Sequence, residues 1–132
     1  MNSPSEAVKI LLTQADLGLT FATNLFIGRE PATPDNCVTI FDTPGGPPTV
    51  FYNNLLKVSY PSIQIRIRNS SYSAGWELAK KIKDLLHNQG NIKINNDDYL
   101  LIKCTQEPAL LDWDESNRAR FVVSFDLIRG EV

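Results

Sequence analysis

The chain has 132 residues, with 13 Lys and Arg against 15 Asp and Glu and a formal net charge of −2. That length suits one domain spanning residues 1–132, able to bury roughly two thirds of the surface its unfolded form exposes. The near balance of charge argues against a general polyanion binder, which would be basic. The most apolar runs are only a few residues long, too short to cross a membrane as a helix. Glu6 and Lys9 interrupt the first apolar stretch and deny it the core of a signal peptide. Cys37, Cys104 and the single His87 offer no metal-ligand spacing and no disulfide framework, so two reduced cysteines are expected and no cofactor.

In chain order, Ser3, Pro4 and Glu6 open a helix: a Ser N-cap, Pro at the first helical position and a Ser-x-x-Glu capping box. Val8, Leu11, Leu12 and Ala15 supply its apolar stripe, so the spacing predicts a helix over Pro4 to Asp16, with Gly18 as the stop. A strand is expected near Leu25 to Gly28, interrupted by Pro31 and Pro34, and a second over Cys37 to Asp42. Thr43 to Asn54, TPGGPPTVFYNN, then combines three prolines with two glycines, which oppose both helix and sheet. Val50, Phe51 and Tyr52 are large apolar residues inside that stretch. It reads either as a lid folded back on the core or as an arm that orders against a partner.

The organising stretch follows. Ile63, Ile65 and Ile67 alternate with Gln64, Arg66 and Arg68, the pattern of a half-buried strand. Asn69, Ser70 and Ser71 break it, and Ser71 or Ser73 can cap a helix over Ser73 to His87. Leu78, Ala79, Ile82, Leu85 and Leu86 lie on one stripe of that helix, Glu77 and Lys81 form a favourable pair, and Gly90 suits a left-handed cap. Ile92 to Ile94 is a short strand, joined through the turn formers Asn95 to Asp98 to a strand over Tyr99 to Gln106, on which Leu100, Ile102 and Cys104 share a face. Pro108 ends that strand. Asp112, Asp114 and Glu115 then flank Trp113 in an acidic turn. Arg118 to Arg129 is a long strand with Phe121, Val123, Phe125 and Leu127 on one face. The fold expected is α/β of the α+β type: a mixed, mainly antiparallel sheet of four to six strands with two helices packed on one face.

Catalytic chemistry is not apparent. Paired glycosidase carboxylates must oppose one another across a cleft, whereas Asp112, Asp114 and Glu115 sit in one turn and read as solvated acids or a contact surface. No Ser or Cys has a recognisable His partner, and Gly45 and Gly46 lack the Lys and Ser/Thr of a phosphate loop. Arg66 and Arg68, with Lys80, Lys81 and Lys83, read either as solvated charge or as a basic patch on a small nucleic-acid-binding or regulatory α/β domain.

Three stretches together, NLFIGREPATPDNCVTIFDTPGGPP (Asn24 to Pro48), YPSIQIRIRNSSYSAGWELAKKIKDLL (Tyr60 to Leu86) and FVVSFDLIRG (Phe121 to Gly130), resemble the minor capsid and tail-terminator proteins of long-tailed bacteriophages. The order is an N-terminal helix, a strand pair ending in Asp-x-x-Gly (Asp42, Gly45), a Pro-x-x-Gln-x-x-x-Arg strand (Pro61, Gln64, Arg68), an amphipathic helix and C-terminal strands. The resemblance implies a non-enzymatic virion subunit at the head-proximal end of the tail, assembled in the host cytoplasm. It implies a ring, usually a hexamer, that caps the tail tube, stops its polymerisation and joins the head completion or connector protein. DNA would pass through without sequence-specific binding, and no membrane is involved. For contacts in such an assembly the candidates are Pro47, Pro48, Val50, Phe51, Tyr52, Arg66, Arg68, Asp112, Trp113, Asp114 and Glu115.

Overall fold

The computed structural model describes residues 2–49 and 57–131. Its elements run α1 (Pro4–Gln14), β1 (Leu25–Ile27), β2 (Cys37–Thr49), β3 (Lys57–Asn69), α2 (Tyr72–Leu86), β4 (Gln89–Ile94), β5 (Asp97–Trp113) and β6 (Ala119–Glu131). The strands form one six-stranded sheet in the order β1-β2-β3-β6-β5-β4, with β1 parallel to β2 and every other neighbour antiparallel. This is the mixed, mainly antiparallel α+β architecture that the alternating strands and striped helices predict.

The core follows from register. β3 pairs with β6 so that Ile63, Ile65 and Ile67 stand opposite Phe125, Val123 and Phe121, and β2 adds Ile40 and Val38 beside Ile65 and Ile67. Because side chains alternate along a strand, these residues share one face. Ala7, Val8 and Leu12 of α1 and Ala79, Ile82 and Leu86 of α2 complete the same fully buried cluster. α1 lies over β1, β2 and β3, and α2 over β3, β5 and β6. Each large side chain taken from water contributes about 1.5–3 kcal/mol.

Both helices start on expected serine caps, but their C-terminal ends differ from expectation: α1 stops at Gln14 with Ala15 as its cap, short of Asp16 and Gly18. Ser3 Oγ accepts from the Glu6 N–H at 3.2 Å, and Pro4 begins α1. Ser71, not Ser73, caps α2 by accepting from the Ala74 N–H at 3.4 Å. The left-handed residue after α2 is Asn88 (φ 68°), and Gly90 already belongs to β4. The reversal comes early because the Asn88 N–H must reach the Ile102 carbonyl, at 2.8 Å, as β4 joins β5. On the exposed side of α2 the ion pair is Lys80–Asp84 rather than Glu77–Lys81.

Proline-containing segments that read as loops are strand. β2 continues through Thr43–Thr49 despite Pro44, Pro47 and Pro48, and β5 continues through Pro108 to Trp113. β1 pairs with β2 only as far as Ile40, and β4 pairs with β5 only as far as Ile102. Beyond those points, among the described residues, each strand has one free edge, where a missing N–H costs no ladder bond. Register shifts at Thr43/Gly46, Gly46/Thr49 and Gln106/Ala109 accommodate the rings. A Cβ on Gly45 would lie 2.0 Å from the Tyr60 carbonyl oxygen, so only glycine fits that bulge. Another shift, at Tyr99/Leu101, buries Tyr99 and Ile102 and turns Leu100 to solvent, away from the face expected for it. Asn95 and Asn96, both at positive φ (47° and 71°), make the two-residue turn between β4 and β5. Val50, Phe51 and Tyr52 lie outside the described residues.

Two substitutions test this packing. Ile82→Ala should lower the urea-derived unfolding free energy by about 2–5 kcal/mol, and a loss below about 1 kcal/mol would mean α2 packs elsewhere. Gly75 lets α2 approach β6: a Cβ there would meet Phe121 Cε2 at 2.7 Å and Asn69 Cβ at 3.1 Å. Gly75→Val should therefore destabilise by about 1–3 kcal/mol through overpacking, where a neutral result would show slack between helix and sheet.

Candidate functional site

The sheet face turned away from the helices carries Gln64, Arg66 and Arg68 of β3 and Arg120, Val122, Ser124 and Asp126 of β6, by strand alternation. At the end where β2 begins, the segment 29–36 crosses this face and three arginines hold it there. Arg68 donates to the carbonyls of Pro34 (2.6 Å) and Asp35 (3.2 Å) and to Glu30 Oε1 (3.2 Å). Arg118 donates to the Ala32 carbonyl (2.7 Å) and to Asp35 Oδ1 (3.1 Å). Arg120 grips Asp112 through two bonds of 2.6 and 2.5 Å and reaches Glu30 Oε1 at 3.4 Å. The planar guanidinium fork suits this work, since it satisfies carbonyls and carboxylates in fixed directions.

The residues singled out from sequence fall into different settings. Arg68 is only 3% exposed and belongs to the clamp. Arg66 lies over the Phe41 ring, 5.0 Å from its centroid, and donates to Gln64 Oε1 at 2.9 Å. The basic patch does not form: these arginines sit on one side of the sheet, while α2 with Lys80, Lys81 and Lys83 covers the other. Pro47 and Pro48 are exposed on β2. Asp112 and Trp113 end β5, and Asp114 shapes the hairpin to β6. Its Oδ1 accepts from the N–H groups of Ser116 (3.0 Å) and Arg118 (2.8 Å), and its Oδ2 accepts from Arg118 Nε (2.7 Å). Glu115 and Trp113 remain exposed, Trp113 by 51%. Glu30, Asp35, Arg118 and Arg120 escaped sequence reasoning, although Arg118-x-Arg120 at the start of a strand carried an alternation signal like that of Arg66-x-Arg68.

Electrostatics follow the same contacts. The Arg120 hydrogen bonds hold the Asp112 carboxyl below its usual range and raise Arg120 in turn. Burial pushes Asp114 up, but its bonds from the Arg118 and Ser116 backbone and the Arg118 side chain outweigh that and leave it lowered. Burial raises both cysteine thiols. His87 Nδ1 accepts from the Cys104 N–H at 3.0 Å, and the Cys104 thiol donates to the Gln106 carbonyl at 2.9 Å. Ring and thiol thus both bond to backbone groups of β5. Among the described residues no group of three or more His, Cys, Asp and Glu could hold a metal ion. Two clefts open on the helix-free face. One, of about 590 Å³, lies between the clamped segment and the Asp114 turn. The other, of about 540 Å³ and mostly apolar, is lined by Pro47, Tyr60, Leu101 and Ile128.

Removing Arg68 would take its donors from two carbonyls and leave Glu30 Oε1 with only the longer bond from Arg120, so Arg68→Ala should cost about 3–5 kcal/mol in urea unfolding and speed amide exchange across 29–36. Unchanged exchange there would contradict the clamp. The lowered carboxyls carry a sign. Their stabilisation is complete above the unfolded carboxylate value of about 3.9 and is lost as pH falls through the lower folded value. Asp114→Asn should therefore flatten the acid limb of the stability–pH curve below about pH 4, and an unaltered limb would exclude the assignment.

The family model described as "Bacteriophage tail terminator protein" matches residues 9–129. No curated protein sequence matches the chain significantly. Among solved structures, a chain from "Virion of native gene transfer agent (GTA) particle" is similar, with a TM-score of 0.70 at 12% identity over 98% of this chain and 96% of that one. At such identity the likeness establishes the fold alone. The family match spans nearly every element, from within α1 to within β6, and the chain belongs to the bacteriophage tail terminator proteins.

Proposed function

We propose that this structural, tail-related virion protein closes into a hexameric ring at the head-proximal end of the tail tube. There it ends tube polymerisation and presents a docking surface to the head completion or connector protein, without catalysis. The observation that carries the reading is the family match over residues 9–129. The arrangement of polar groups supports it: the clamp arginines satisfy their own chain instead of converging on a substrate-sized centre. DNA would pass through the ring without sequence-specific contacts, and assembly would take place in the host cytoplasm. Pro47 and Pro48, and Arg66 with the Asp112 to Glu115 hairpin, are the surfaces assigned to subunit and axial contacts, together with Val50, Phe51 and Tyr52, which lie outside the described residues. Arg68 contributes by holding segment 29–36 in place. The nucleic-acid-binding alternative loses its motivating feature, because Arg68 is buried and Arg66 is stacked.

The test is tube growth. Tail tube protein polymerised with increasing amounts of this chain should give progressively shorter tubes in negative-stain images, with the added protein at one end. Tubes of unchanged length, or protein bound along their whole length, would contradict the reading.

A further inference from the structure

The sheet is offset by one strand between its two ends. Across one end, paired neighbours run Leu25, Val38, Ile67, Phe121, Leu110, from β1 to β5. Across the other they run Thr49, Val58, Gly130, Asp98, Lys93, from β2 to β4. β1 therefore flanks only the first row and β4 only the second. Among the described residues the outer edge of β5 has no strand partner beyond Ile102, and that of β2 has none beyond Ile40. Each flank is a step, and the two steps are complementary. The protruding β1 stands level with the recessed part of β5, and the protruding β4 stands level with the recessed part of β2. A second copy displaced across the strands fits its β1 side into the recess beside β5, and the recess beside its β2 takes β4 of the first.

Side chains on the two flanks match as well. The recessed β5 edge exposes Leu110, Leu111 and Trp113, beside exposed Tyr72 of α2, which packs on Phe121, the cross-strand partner of Leu110. The β1 flank exposes Phe21, bridged to Leu25, with Lys9 Nζ 4.4 Å from its ring centroid. Glu115, exposed in the hairpin after β5, is opposite in sign to Lys9. Exposed apolar groups along a free strand edge are what monomeric sheets avoid and interfaces use.

We infer that the flank around Phe21 of one copy packs against the β5 edge around Leu110, Leu111 and Trp113 of the next copy. The contact joins unlike surfaces, as a closed ring requires, and it rests on the ring reading above. Leu111→Lys spoils the β5 edge and sets a second cation against Lys9; Phe21→Lys spoils the other flank. Both sites are exposed, so unchanged thermal melts are expected, and Trp113→Lys replaces Leu111→Lys if that variant does not fold.

Light scattering on the full chain, alone and with tail tube protein added, reads the outcome. At concentrations where the parent assembles, each variant alone should stay at the 14.8 kDa monomer mass. An equal mixture should rise about twofold, because one intact flank of each variant can meet the other but the pair cannot extend. Assembly of either variant to the parent's mass would overturn the inference, and so would a mixture that stays monomeric. A parent that never assembles, even with tube protein, would instead overturn the ring reading itself.

Discussion

The pairing of β3 with β6 governs the rest of the molecule. Ile63, Ile65 and Ile67 meet Phe125, Val123 and Phe121 in a register that allows no slip. A shift of one residue would bring arginines and Gln64 under the helices and send three isoleucines to water. Once that register is set, both helices have one apolar surface to cover, and β2 and β5 extend it sideways with Val38, Ile40, Tyr99 and Ile102. The opposite face is left to polar groups, and its charges have to be satisfied by the chain itself.

That second requirement explains the arginine clamp. Arg68 lies on the polar face next to Arg120, since the two are cross-strand partners. Two like charges side by side repel one another. Glu30 Oε1 lies between them and accepts from both, Asp112 takes the remaining donors of Arg120, and the carbonyls of Pro34 and Asp35 take those of Arg68. A segment without regular structure is thereby fixed across the end of the sheet. The arrangement places a polar surface beside an exposed Trp113 and, among the described residues, leaves the β2 edge beyond Ile40 and the β5 edge beyond Ile102 unpaired.

Much of this was legible in the sequence because it depends on local pattern. Period two identified β3 and β6, the stripe of Ala79, Ile82 and Leu86 identified α2, and the Ser3 capping box identified the start of α1. The misreadings share one cause, which is that local chemistry does not reveal neighbours. Pro44, Pro47, Pro48 and Pro108 break a strand only where a second neighbour needs their N–H, and here β1 and β4 stop short of them. Arg68 has the same alternation as Arg66, yet only the return of segment 29–36 decides that one is buried and the other stacked. Asp112 and Asp114 looked like free acids because their partners, Arg120 at the start of β6 and Arg118 just before it, come within reach only once the hairpin has closed. The family was legible as an ordered set of elements, whereas surfaces for partners depend on edges that only the sheet order defines.

A tail subunit of this kind needs a body that keeps its shape while its edges and loops engage other proteins. The β3–β6 pair supplies that body, and native-state amide exchange measures it directly. The amides of Ile63 to Ile67 and Phe121 to Phe125 that bond across the ladder should exchange only through global unfolding, with a free energy equal to that from urea denaturation. Exchange of those amides through a smaller opening, at or below the protection found in β1 and β4, would contradict the central place given to this pairing.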